Sequence, residues 1–466
     1  MRQRVLLLPV LLFLLFLPAC SFYRPQTEKA SFSLSYKEDE ETKISREFRL
    51  EAKKKLKFVR NLEVDRYVDQ IGRRILATMG PLQFDYRFFV IEDPELNAFA
   101  VPGGSIYIQT GLIDRVHSTD ELAAVLGHEL IHVKGHHMVR MSGPDWLSLA
   151  GLLGVFLGGG GAGSQAAGAI GQALSLTRQL AYARQLEQEA DTLGIKYMTA
   201  AGYDPRAAVA FLKTMDQERI LNPVDVPPYL MTHPLSQERI NNAELVLRSL
   251  RVSDRQTGRE DPIKKIQLWL RLEGDETATV IPQLELQVKR EQSNAESRQL
   301  LAIAYQQKGD LEKARLNYET ARNLDPMRPG IDRDLGRLYT QMGELRLARE
   351  ALGRSINLEP KEALNYLYLG ELEEKGADLR AAAGAYLNAH NLAPLWPEPP
   401  QRLGTVYGKI DRLGDAYYYL GRSALLQDDA ERAILQWERA LKIFGDKSPR
   451  GQALKAELDS LRERGR

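Results

Sequence analysis

The stretch VLGHELIHVKGHH, residues 125–137, holds four of the chain's seven histidines and one glutamate. His128 and His132 flank Glu129 as H-E-x-x-H. A step of four residues is about 400° on a helix, so the two imidazoles leave one face within about 40° of each other. Ser118 and Glu121 form a capping box ahead of an apolar-periodic run, and Gly135 supplies a stop. The spacing therefore predicts a helix from about 119 that carries the pair in its interior. Chance produces the motif in about one chain in a hundred of this composition. Two histidines on one helix face are two ligands for zinc. Zinc lowers the pKa of a water toward neutrality, and Glu129 stands beside the first histidine to take its proton.

A catalytic zinc needs a third protein ligand. The pattern H-E-x-x-H-x-x-G-x-x-H would require a histidine at 138. Gly135 is in register, but the residue is Met138. His136 and His137 each miss the position and are read as groups just past the helix end, without a catalytic role. The other source is an acid on a later helix. YARQLEQEADTLG, 182–194, offers Glu187, with Asp191 one turn on along the same face, and Glu189 as a competitor. In that arrangement Glu187 binds the metal while Asp191 accepts the spare N–H of a ligating histidine and fixes its tautomer.

Outward from this core the chain divides. MRQR followed by VLLLPVLLFLLFLPA and Cys20 is the charged and apolar part of a secretory signal, too short for a comfortable span. LPAC is similar to a bacterial lipobox, which implies cleavage after residue 19 and acylation of Cys20, with Ser21 next as in outer-membrane lipoproteins. Residues 20–45 read as a polar tether. Val64, Tyr67, Val68, Ile71 and Ile75 predict a helix, while FDYRFFVIED (84–93) and GGSIYIQTG (103–111) predict strands. Gly104–Ile108 is read as an edge to which an extended peptide adds. Residues 146–172 read as a short buried apolar helix and a glycine-rich loop, and a helix resumes at about 173–199. A linker is expected at 253–262.

The rest is periodic. Leu301, Leu335, Leu369 and Leu403 are spaced by 34, as are Gly336, Gly370 and Gly404, and Ala314, Ala348, Ala382 and Ala416. A 34-residue period with small residues at helix contacts is the tetratricopeptide signature. Clear repeats run over about 293–443, with a capping helix after, and 263–292 is a candidate for a degenerate first unit. Gly376 stands one position early relative to Gly309 and Gly343. The expected architecture is an α+β zincin-type metalloprotease domain, helical with a small sheet, over 46–252, followed by an all-α tetratricopeptide-repeat solenoid over 263–466.

Net charge is +1, so no basic stripe points to nucleic acid, and a single cysteine excludes an intramolecular disulfide or cysteine zinc cluster. The order of three motifs narrows the class further. His128-Glu129-Leu130-Ile131-His132 is followed by Arg184 to Glu187 to Asp191, then by Thr232-His233-Pro234 to Arg239. This series resembles the gluzincin metallopeptidases of the HtpX and CAAX-prenyl endopeptidase family, over roughly residues 60–250. With a signal and repeats it is similar to the periplasmic β-barrel assembly-enhancing group, from which the lipobox departs.

The resemblance implies one Zn2+ per chain, held by His128, His132 and Glu187 rather than Glu189. It implies Glu129 as base, Asp191 behind a ligand, and His233 either as a fourth ligand in a resting state or as a hydrogen-bond donor to the tetrahedral intermediate. Arg239 holds the T-H-P segment or the oxyanion. The implied clients are misassembled outer-membrane proteins, with the β-barrel assembly machinery as a partner of the repeats. Together with the glycine-rich loop, His233 suggests a latent enzyme. The rival reading is a chaperone or assembly scaffold with a silent or capped metal site. An intramembrane protease is disfavoured, because no second apolar span of about twenty residues exists.

Overall fold

The computed structural model describes residues 40–142, 173–221, 227–250, 261–274 and 276–464. Cys20 and its leader, the stretch 146–172 and most of the expected linker lie outside the described residues. The described residues belong to one compact unit, Glu38–Arg466. No helix among them is long and apolar enough to cross a membrane.

Helix α1, Glu40–Lys55, begins inside the stretch read as a tether. Ile44 and Phe48, four residues apart, bury against Phe99, Val101 and Tyr107 of the sheet. Helix α2, Leu62–Leu76, is capped by the Asn61 side chain, which accepts from the N–H of Glu63 and Val64. Its buried stripe of Val64, Val68, Ile71 and Ile75 joins the larger core. A Cβ on Gly72 would stand 2.0 Å from Phe88 Cζ, so this glycine lets α2 approach the sheet.

The sheet has three strands, β1 Arg87–Ile91, β2 Ala98–Val101 and β3 Ser105–Gln109, in the order β1-β3-β2. β3 pairs parallel with β1 (Arg87 opposite Ser105) and antiparallel with β2 (Ala98 opposite Ile108). This corrects the expectation that Gly104–Ile108 is an edge. β3 is central, and β2, a strand that the sequence reading did not separate, is an outer strand, as is β1. Gly103 and Gly104, with φ of +85° and +105°, make the turn between them. The N–H of Gln109 donates to Asn97 O at 3.0 Å. The bonded positions therefore alternate through 97, 99 and 101, and the backbone groups of Ala98 and Ala100 face outward.

After a short helix α3, Thr110–Arg115, the histidine pair lies on α4, Thr119–Lys134. Ser118 Oγ accepts from the N–H of Glu121 at 3.1 Å, and Gly135 ends the helix. The Glu121 carboxylate accepts from the N–H of His117, one residue earlier than in an ideal capping box. Then follow α5 His137–Ser142, α6 Ala173–Ala200, α7 Arg206–Leu221, α8 Pro228–Thr232 and α9 Gln237–Ser249. α4 and α6 cross at two glycines. A Cβ on Gly127 would stand 3.1 Å from Gly194 O. This close approach brings the H-E-x-x-H face to the acidic face of α6.

Among the described residues, those from 263 to 464 form helices joined by short turns, from Ile263–Glu273 to Pro449–Arg464. The glycine column has a packing cause. A Cβ on Gly336, Gly370 or Gly404 would meet Leu352, Tyr386 or Leu420 of the next helix at 2.6, 2.3 and 2.6 Å. The early Gly376 has φ −77° and is an ordinary helix end. The left-handed position of that unit belongs to Ala377, in step with Gly309, Gly343, Asp411 and Gly445, all at positive φ. The turn geometry thus keeps the 34-residue period where the glycine does not.

The repeats are fastened to the rest by buried charge. Glu63 Oε2 on α2 takes Arg333 at 3.0 Å and Lys265 at 3.4 Å, and Tyr368 donates to its other oxygen at 3.2 Å. Asp428 takes Arg49 of α1 at 2.8 Å and Arg87 of β1 at 3.1 Å. Asp261 accepts from the N–H of Thr119 at 2.7 Å, which caps α4 from outside. Burial would push the Glu63 carboxyl up, but Arg333, Lys265 and Arg337 outweigh it and hold it at about 2. A depressed carboxyl stabilises the fold above its unfolded value of 4.5 and loses that contribution as pH falls toward 2. Glu63→Gln is therefore expected to cost about 3–5 kcal/mol at neutral pH and to flatten the loss of stability between those pH values. Urea unfolding of both proteins from pH 7 to pH 2 checks it; equal midpoints at pH 7 would contradict the fastening role.

Candidate metal centre

His128 and His132 present their Nε2 atoms 3.0 Å apart. α6 brings Glu187 to both, Oε2 at 3.3 Å from His128 Nε2 and Oε1 at 3.3 Å from His132 Nε2. From the turn after α8, His233 Nδ1 lies 3.2 Å from His128 Nε2 and 3.2 Å from each Glu187 oxygen. One donor atom from each of these four residues lies within 4.8 Å of the others. With bonds of 2.0–2.2 Å, tetrahedral zinc ligands stand about 3.3 Å apart. The donor set and its spacing therefore fit a zinc ion, with three of the four donors neutral-capable imidazoles and one a carboxylate.

The surroundings are acidic and dry. Burial works against a charged His128, but Glu187 and Asp191 outweigh it and raise its imidazole to about 10. Burial lowers His132 to about 4. Burial would raise Glu187, yet His233 and His128 hold it well below the usual carboxylate range. The acids thus favour positive charge at the centre of the cluster, where a cation belongs. Glu129 is fully buried, neither of its oxygens has a hydrogen-bond partner, and burial pushes its carboxyl up. Its Oε1 faces His233 Nε2 at 3.4 Å.

A second tier holds the first. Asp191 Oδ1 meets His128 Nδ1 at 3.0 Å. Arg239 grips Asp191 with two bonds of 2.8 Å and reaches Glu187 Oε2 at 2.9 Å. Its remaining donor also reaches the carbonyls of His233 and Pro234, at 3.3 and 3.1 Å. Arg239 is thus a buried brace across α6, α9 and the T-H-P segment, with its donors aimed at these groups and not at an oxyanion. Tyr229, unremarked in the sequence, covers the His233 ring at 4.7 Å between centroids. Its N–H donates to Leu96 O, which fastens α8 beside the start of β2.

The other sequence candidates separate cleanly. Glu189 points away from the cluster, to Arg140 at 3.1 Å. Arg184, first residue of its motif, is exposed. His136 sits against Glu41 at 2.6 Å and Gln83 at 2.8 Å, on the far side of the helix end. His137, given no role from sequence, lies 3.1 Å from His132 Nδ1. Its signal was the Gly-His-His run one turn past His132, where the chain can fold back under the ligand.

Residues 62–246 match the model of Peptidase family M48. The chain is 34% identical over 188 residues to the putative beta-barrel assembly-enhancing protease of Vibrio cholerae, covering 39% of this chain and 38% of that one. It is 31% identical over 184 residues to the beta-barrel assembly-enhancing protease of Escherichia coli, covering 38% and 37%. The matched stretch is thus well under half the length of these curated relatives. Among solved structures, PilW, a type IV pilus biogenesis factor, aligns at 18% identity and a TM-score of 0.34, covering 42% of this chain and 91% of that one. MamA aligns at 20% identity and a TM-score of 0.32, covering 35% and 95%.

Proposed function

We propose, from the premise that residues 62–246 are a Peptidase family M48 domain, that this chain is a zinc-dependent endopeptidase of the bacterial envelope. The observation that carries the reading is the convergence of His128, His132 and Glu187 beside a buried, unpartnered Glu129 carboxylate. Zinc held there supplies Lewis acidity, polarising a peptide carbonyl and acidifying a water. Glu129 holds that water, takes its proton and passes it to the leaving amine. Asp191, braced by Arg239, keeps the His128 ring turned to the site.

The substrates are outer-membrane proteins that have failed to assemble, and the repeats recruit them or their assembly machinery. The similarity to the beta-barrel assembly-enhancing proteases of Vibrio cholerae and Escherichia coli supports this. Acylated Cys20 tethers the chain to the outer membrane on its periplasmic side. Cys20→Ser is then expected to move the protein from the membrane fraction to the soluble fraction, since several acyl chains hold firmly where one does not. A wild type that is soluble after signal cleavage would overturn the anchor.

With His233 as a fourth donor beside His128, His132 and Glu187, a zinc ion held there would have its four positions filled by protein, and this supports a latent enzyme. The loop expected to share this role lies outside the described residues. Cleavage of an unfolded β-barrel protein should be slow in wild type and severalfold faster in His233→Ala, and a chelator should abolish both. Activity that survives metal removal would refute the zinc reading. Slower cleavage by His233→Ala at matched zinc content would instead assign this histidine to the transition state.

A further inference from the structure

His132 turns Nε2 toward the cluster, 3.0 Å from His128 Nε2 and 3.3 Å from Glu187, and Nδ1 away from it. Behind it, His137 Nδ1 stands 3.1 Å away, with the two rings nearly perpendicular at 88°. His137 is 1% exposed, although it opens a helix, and its Nε2 is a buried atom without a hydrogen-bond partner. That Nε2 faces Glu189 Oε2 at 3.7 Å, and Arg140 holds Glu189 at 3.1 Å.

The backbone is shaped to allow this. His136 adopts φ +51°, which a non-glycine residue rarely takes, and so folds the chain back under α4. Gly135 leaves room for the ring, since a Cβ there would stand 2.3 Å from His137 Nε2.

We propose that His137 is a positioning residue for His132: its Nδ1 accepts the Nδ1–H of the ligand histidine and fixes that ring with Nε2 toward the metal. The proposal rests on the zinc reading of the same site. A ring that offers the Nε2 lone pair to the cluster carries its proton on Nδ1, and two nitrogens at 3.1 Å require one donor and one acceptor. His137 must then carry its own proton on Nε2, toward Glu189. The arrangement mirrors the other ligand, where Asp191 backed by Arg239 takes the outer nitrogen of His128. Both helical ligands are thereby locked from behind, one by a carboxylate and one by a neutral imidazole.

The test is zinc affinity by competition with a chromophoric chelator, which needs no turnover. His137→Phe keeps a ring of similar breadth without an acceptor and is expected to bind zinc about 10–100-fold more weakly than wild type. His137→Gln, whose amide oxygen can accept the same bond, should bind more tightly than the Phe variant. An affinity of His137→Phe within about twofold of wild type overturns the proposal. Nitrogen-15 spectra of the zinc-loaded wild type give a second reading that holds even if the variants fail to fold. They should show His132 protonated on Nδ1 and His137 on Nε2, and His137 protonated on Nδ1 overturns the proposal. A wild type that takes up no zinc would remove the zinc reading along with it, an outcome distinct from the other two.

Discussion

Glu129→Gln is expected to lower peptide-bond cleavage by about 10²–10⁴-fold while zinc content and thermal stability stay near wild type. The glutamine is isosteric, so the buried pocket keeps its packing. No donor in the metal cluster is removed, because the four converging atoms belong to His128, His132, Glu187 and His233. What disappears is the carboxylate proposed to accept a proton from water. Since neither Glu129 oxygen has a partner, its replacement breaks no hydrogen bond. Turnover of an unfolded β-barrel protein by the zinc-replete variant at more than a tenth of the wild-type rate would mean that another base serves.

Glu187→Gln should act on the metal itself. Its two oxygens touch both helical histidines and His233, and it is the one negative charge among the four donors. Removing that charge is expected to weaken zinc binding by more than the about 10–100-fold typical of groups behind the ligands. It also leaves the Arg239 donor now 2.9 Å from Glu187 without its anion. Glu189→Gln, two residues on, should change affinity far less, because Glu189 faces Arg140 and His137 at the rim. Zinc content of the two variants after identical dialysis reads the difference, and equal losses would contradict the assignment.

The parts of this site that were legible from sequence are those set by local geometry. The α4 helix, its Ser118 cap, its Gly135 stop and the shared face of His128 and His132 all follow from contacts within one or two turns. The choice between Glu187 and Glu189 does not, because two positions apart on a helix is nearly opposite faces. Only the rotation of α6, fixed where Gly194 meets Gly127, decides it; the family resemblance carried that information without the geometry. β2 escaped because its four residues are all buried and show no alternation. That omission put the edge of the sheet on the wrong strand.

His137 was overlooked for a different reason. The H-E-x-x-H-x-x-G-x-x-H spacing tests position 138 for a third ligand, and a hydrogen bond to the outer nitrogen follows another spacing rule. The fastening of repeats to the metal-bearing region left no local mark at all. Glu63 and Arg333 are 270 residues apart, and each reads in sequence as an ordinary helix-surface charge. In the repeats the period itself was legible, whereas Ala377 at a left-handed position was not, because alanine does not advertise positive φ.

The central claim is that one zinc sits between α4 and α6. An anomalous difference map from crystals of the purified protein, recorded on both sides of the zinc absorption edge, tests it most directly. The account predicts one strong peak per chain, within about 2.0–2.2 Å of His128 Nε2, His132 Nε2 and a Glu187 oxygen. A peak bound through Glu189 or His137 instead, or no zinc peak between the two helices, would contradict it.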